Sequence, residues 1–297
     1  MPRAAQTARV AAVLEWYAVH ARDLPWRRAE CSAWGVLVSE VMLQQTPVAR
    51  VLPAWESWMT RWPTPADLAA ASQADAVRAW DRLGYPRRAK RLWECAREIV
   101  ERHGGEVPSE PDALLELPGI GEYTAAAVGA FAFGRRTVVV DTNVRRLLAR
   151  AWLGRASAAP SLTRAERDLA ASVAPEDPAT AAVWAVASME LGALVCTARS
   201  PRCEACPLAS SCAWLAAGRP ADAAPASRSQ PWTGTDRHVR GRIMAVLRAA
   251  SAPVNVSGRA ELEDVEPGQL DRCLESLVAD GLVARADVGR GTFVLAG

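Results

Sequence analysis

Four of the chain's seven cysteines fall within seventeen residues. Cys196, Cys203, Cys206 and Cys212 are spaced C-x6-C-x2-C-x5-C. Thiols this close have three uses: disulfides, a zinc site or an iron–sulfur cluster. The total is odd, and Cys31, Cys95 and Cys273 stand alone, which argues against a paired disulfide framework. Structural zinc usually joins two short knuckles, and only Cys203 and Cys206 form one. A 4Fe–4S cluster needs four thiolates, which a single looping segment can supply. The spacing favours the cluster and leaves zinc open. A cluster alone does not specify an enzyme, because it can carry electrons or simply fasten a loop.

Two carboxylates also stand out. In WGVLVSEVMLQQT, Glu40 interrupts an apolar helical stretch. Burying an unpaired carboxylate is costly. Ser39, Gln44 and Gln45 gather near it, so the segment reads as the lining of a cavity rather than a solvent face. In VVVDTNVRRLLAR, Asp141 follows an apolar run and precedes a helix. Asp suits a helix N-cap, and an acid there can also face a pocket. Between the two lies ELPGIGEYTAAAVGAFAFG, residues 116–134. Its LPGIG reads as a tight turn between two helices, with glycines permitting positive φ and close backbone approach. Amides opening the second helix then point at an anion.

The elements that must hold these residues are mostly helical. Apolar residues recur at three and four from residue 8 to 218, punctuated by Pro25, Pro53, Pro63, Pro108, Pro118 and Pro175. TVVV at 137–140 is the one β-like run in that stretch. Residues 219–234 read as a Pro-, Ala- and Ser-rich linker. Residues 235–297 read as two or three helices and a hairpin around a Gly-rich turn, a small winged-helix-like domain. A chain of 297 residues suits two domains and an appendage. The net charge of +2 permits a nucleic-acid partner if arginine is clustered; Lys90 is the only lysine. No apolar stretch is long enough to span a bilayer. The N-terminal segment continues as an ordinary amphipathic helix through Val13, Leu14 and Tyr17 rather than as a transit peptide. The expected compartment is a reducing cytoplasm.

The cysteine spacing closely resembles the cluster loop of the helix–hairpin–helix DNA glycosylases, and the order of hairpin, aspartate and cysteine loop agrees. The resemblance implies an all-α fold. A cluster module (residues 1–31 and 141–218) would flank a six-helix barrel module (residues 32–140), with the winged-helix-like domain appended. It implies that Arg199 and Arg202 approach DNA phosphates, and that Gly119, Ile120 and Gly121 grip the backbone. SEVMLQQT is similar to the adenine-excising branch of the family. There Glu40 would protonate adenine N7 as general acid and Asp141 would stabilise the sugar cation. Burial would keep Glu40 protonated, and helix-terminal amides would keep Asp141 ionised. Tyr123 and Asn143 would position Asp141 and the water. LPWRR, with Trp26 and Arg27, matches the adenine pocket; LGYPRRAKRL and MELGALVC fit as well, so the resemblance covers residues 9–216. Gln45, Thr46 and Leu83 would meet the opposite base, and Tyr85 would also bind substrate. Strand-cleaving members carry lysine where this chain has Tyr123, which cannot form a Schiff base. The implied enzyme is therefore monofunctional. Its partner would be double-stranded DNA with adenine opposite 8-oxoguanine or guanine, bound by a monomer.

Three departures qualify this. The chain reads Tyr85–Pro86 where many members have two tyrosines. Trp184–Ala185–Val186 replaces a polar pair near the adenine. The residues after 218 are too few for the β-rich domain that helps recognise 8-oxoguanine. The rival readings are a pyrimidine glycosylase/lyase, which Tyr123 opposes, and a non-enzymatic cluster-bearing DNA-binding protein, which the two carboxylates oppose.

Overall fold

The computed structural model describes residues 3–221, 233–287 and 291–297. The expected linker and Gly-rich turn lie largely outside the described residues. The chain is mainly helical, as expected, and forms two compact units. No helix among the described residues is long and apolar enough to cross a membrane.

The first unit comprises residues 1–37, 109–115 and 120–226. Its centre is the mostly apolar helix Pro178–Leu194, which buries Ala181, Trp184, Ala187 and Leu191. Asp177 caps its N-terminus, accepting from the Thr180 amide at 2.8 Å. Against it pack the helices Arg3–His20 and Thr142–Leu153. Val13, Leu147, Leu191, Leu208 and Trp214 form one buried cluster there. The cysteine loop folds onto the same core. The hairpin helix Glu122–Phe133 joins it through Ala127, Ala130, Val139 and Ala185. Residues 120–140 thus count with this unit rather than with the expected barrel module. TVVV is not a strand. Among the described residues no second strand pairs with it, and it runs as extended chain along the hairpin helix, where Thr137 Oγ1 donates to Ala126 O at 2.6 Å.

The second unit comprises residues 38–108, 116–119 and 227–297. Trp58 meets Trp62 and Trp80 edge-on, with ring centroids 4.7 and 5.6 Å apart. The short helix Pro65–Ala70, closed by a Thr64–Asp67 capping box, packs on the helix Arg87–His103. The C-terminal part has two helices, Asp236–Ala249 and Pro267–Ala279. It also has three antiparallel strands, β1 (Val254–Asn255), β2 (Val283–Asp287) and β3 (Thr292–Leu295), in the order β1-β3-β2. Val254 pairs with Phe293 and Val283 with Leu295. The strand at 254–255 adds a third member to the expected hairpin. Two 3₁₀ turns, Val256–Gly258 and Ala260–Leu262, occupy the place of a third helix.

Several hydrogen bonds fasten this part to the preceding helices. Gln73 Nε2 donates to Gly281 O at 2.7 Å, and Lys90 Nζ donates to Asp280 O at 3.0 Å.

Candidate active site

Asp141 is the N-cap of the helix Thr142–Leu153. The Val144 amide donates to its Oδ1 at 2.7 Å, and Asn143 Nδ2 donates to Oδ2 at 2.6 Å. Both carboxylate oxygens are therefore held. Burial pushes this carboxyl above its ordinary 3.8, while those hydrogen bonds and the Arg146 charge pull it down. The amides are in place, but burial outweighs them, contrary to the expectation that they alone would set the balance. Tyr123 lies half-buried on the hairpin helix, in the cluster with Val139 and Ala185.

Sequence reasoning missed what stands behind Asp141. Arg146 Nη2 donates to Asn143 Oδ1 at 2.8 Å and to Gly192 O at 2.7 Å. Its Nε donates to Cys196 O at 2.7 Å. Gly192 is essential to this approach, because a Cβ there would lie 2.7 Å from Asn143 O. One turn further on, Arg150 Nη1 donates to Cys196 Sγ at 3.5 Å and to Thr197 O at 2.7 Å; its Nη2 donates to Ala198 O at 3.0 Å. Arg146 and Arg150 are four apart, on one helix face. That spacing was the available signal.

Cys196, Cys203, Cys206 and Cys212 line one cavity with Leu147, Leu208 and Trp214. All four are free thiols. Burial raises the Cys196 thiol and pushes Cys206 up to about 11, so thiolates here need a compensating cation. Among the described residues, no three Cys, His, Asp or Glu side chains converge as ligands of one metal ion do. Four thiols around one cavity, with an arginine donating to one sulfur, supply the thiolates that a 4Fe–4S cluster takes. Arg199 and Arg202 are exposed on this loop, and Arg202 Nη2 also donates to Leu194 O at 2.5 Å.

In the turn before the hairpin helix, Gly119 has φ +80 and a Cβ there would lie 2.7 Å from the Arg91 Cβ. Gly121 differs from expectation: it is extended, and a Cβ there would meet nothing. Ile120 buries its side chain, leaving only backbone for a ligand.

Trp26 is buried, and Arg27 is tied to Glu190 at 2.9 Å. Arg22 grips the same carboxylate through Nε at 2.7 Å and Nη2 at 2.6 Å. Burial alone would raise Glu190, but the two guanidinium groups bring it down to about 2. Arg27 Nη1 is buried with no hydrogen-bond partner. Glu190 was not foreseen as a partner for LPWRR, since 163 residues separate it from Arg27.

Glu40 lies on the helix Ala33–Leu43, which is apolar all round, and is only 5% exposed; Ser39 beside it is fully buried. Arg88 organises the segment that follows. It donates to Val41 O, Met42 O and Gln44 O, closing that helix, and also to Thr46 Oγ1, Leu83 O and Gly84 O. Burial lowers its pKa to about 10. Thr46 Oγ1 in turn donates to Leu83 O at 3.1 Å. Of the three residues expected at the opposite base, Thr46 and Leu83 are thus turned into the fold. Gln45 and Tyr85 are exposed, both at positive φ, 56 and 48.

The family described as HhH-GPD superfamily base excision DNA repair protein matches residues 38–173, and the iron-sulfur binding domain of endonuclease III matches residues 196–212. The second match assigns the 4Fe–4S cofactor to this loop. The chain is 55% identical over 282 residues to an adenine DNA glycosylase of Mycobacterium tuberculosis, covering 94% of this chain and 91% of that one. It is 54% identical to that of Mycolicibacterium smegmatis, covering 96% and 95%. A solved thermostable thymine-DNA glycosylase superposes with a TM-score of 0.64 at 27% identity, covering 71% of this chain and 97% of that one. Identity of that extent, along nearly the whole of both chains, makes this protein a member of the adenine DNA glycosylase family within the HhH-GPD superfamily.

Proposed function

We propose that the protein excises adenine mispaired with 8-oxoguanine or guanine in duplex DNA, leaving an abasic site in an intact strand. The observation that carries this reading is Glu40, a carboxyl only 5% exposed in an otherwise apolar helix, on a chain 55% identical to adenine DNA glycosylases. The adenine leaves the stack. Glu40 donates a proton to its N7, making the purine a better leaving group. The N-glycosidic bond breaks, the electron pair goes to the base, and the sugar becomes an oxocarbenium-like cation. Asp141, held at both oxygens, stabilises that cation, and water adds at the sugar carbon while its proton passes to the Glu40 carboxylate, restoring the acid. Trp26 walls the base pocket, and the buried Nη1 of Arg27 supplies a donor to it. Tyr123 and Asn143 keep Asp141 and the water in place. Cys196, Cys203, Cys206 and Cys212 hold the cluster. When bound, it fixes the loop that carries Arg199 and Arg202 toward phosphates. The hairpin amides around Gly119–Gly121 and the exposed Gln45 and Tyr85 engage the duplex.

No side-chain amine takes part, because Lys90 is the only lysine and is bound to Asp280 O. The test is a labelled duplex carrying adenine opposite 8-oxoguanine. The strand should remain whole until alkali is added, and borohydride should trap no adduct. Glu40→Gln should slow single-turnover excision by about 10²-fold or more while the duplex still binds. Strand scission without alkali, together with borohydride trapping, would make the lyase reading the better one.

A further inference from the structure

Within the second unit, the C-terminal helix Asp236–Ala249 forms one wall of a groove whose other wall is the segment 81–88. Arg237, Arg240, Met244 and Arg248 face it at helical spacing, with Gly241 between them keeping the wall low. Arg82, Arg87 and Arg88 line the other side. Six arginines thus face one lining carboxylate, Asp81. Asp280, behind the lining, ion-pairs with both Arg87 and Arg240. Like charges held this close repel unless an anion joins them, and Arg248 is already desolvated enough to lower its pKa. Tyr85, 38% exposed, lies between two guanidinium groups, Arg237 at 4.3 Å and Arg88 at 5.5 Å from its ring.

We infer that this groove seats the sugar–phosphate backbone of one strand of the duplex, and that the C-terminal domain is therefore a working wall of the DNA-binding surface. Guanidinium forks match phosphate oxygens. Met244, Leu277 and Pro86 supply apolar surface for sugars, and an aromatic face suits a polymer with stackable bases better than an acidic peptide. The inference rests on the reading that the chain acts on duplex DNA.

The test is equilibrium binding of full-length, cluster-loaded protein to an undamaged duplex between about 50 and 200 mM salt. Arg237→Ala combined with Arg248→Ala should weaken binding at least tenfold. It should also flatten the plot of log affinity against log salt by about 1.8, near 0.9 for each phosphate that the variant no longer neutralises. Arg285→Ala, which removes an arginine of β2 outside the groove, should leave the slope unchanged. If the double variant does not fold, Arg82→Ala, whose side chain is almost fully exposed, should give half that flattening. An unchanged slope overturns the inference, as does an equal flattening in Arg285→Ala or binding of a polyglutamate peptide within tenfold of the duplex. Because the probe is undamaged, the outcomes separate. Normal excision with an unchanged slope removes the groove alone. A flattened slope without adenine excision removes the activity alone.

Discussion

Asp141 is held between burial, which raises its pKa, and the donors Val144 and Asn143, which lower it. In the proposed mechanism excision uses the ionised carboxylate, so activity should fall as pH drops through that raised value. Removing a donor raises it further. Asn143→Ala should therefore shift the acid limb of the single-turnover pH profile to higher pH, while saturating-pH activity falls less. A limb unmoved or moved downward would remove Asn143 from this role. At this scale much was legible. A glutamate in an apolar helical string and an aspartate at a helix start violate or satisfy local rules that one segment displays. Arg88 and Glu190 were not legible, because their partners are carbonyls or side chains brought in from distant segments, and Arg146 left only its four-residue spacing from Arg150 as a local mark.

The element that presents Trp26 and Arg27 has little regular structure of its own, a single 3₁₀ turn at Pro25–Arg27. Arg22 and Arg27 fasten it to the helix Pro178–Leu194 through Glu190. That carboxyl lies near 2 in the folded protein and has an ordinary value of 4.5. Its contribution is therefore full above pH 4.5 and is lost as pH falls toward 2. It amounts to a stability difference on the order of 3 kcal/mol. Glu190→Gln should lower stability at neutral pH and lack that share of the acid slope in chemical denaturation. A wild-type slope in the variant would sink the clamp. The cysteine loop is a second such element, with two 3₁₀ turns and no longer helix between its cysteines. Loaded protein should carry about four irons and be yellow-brown. Cys203→Ser should lose iron and soluble yield together, since metal binding and folding are coupled; unchanged iron content would exclude Cys203 as a ligand. The helices were legible because their period and their Pro and Asp boundaries are local. TVVV, too short to build a sheet alone, stays extended chain because β-propensity without a partner strand decides nothing.

At the scale of the molecule, the cysteine spacing and the ordered motifs made the glycosylase fold readable, but the way the tail docks was not. Docking depends on which face of one helix meets which loop, and no periodicity encodes that. One consequence concerns labelling chemistry. Lys90 is the chain's only lysine and donates to Asp280 O where the tail meets the helix Arg87–His103. Amine-directed reagents therefore find two places on this protein, its N-terminus and that junction. Acylation of Lys90, followed by mass spectrometry, becomes a single-site clock for opening of the junction. Gly281→Val should make the clock run at least tenfold faster, because a Cβ there would lie 2.4 Å from Lys90 Nζ and Gly281 has φ +64. Equal rates in the two proteins would mean that Lys90 does not hold the tail.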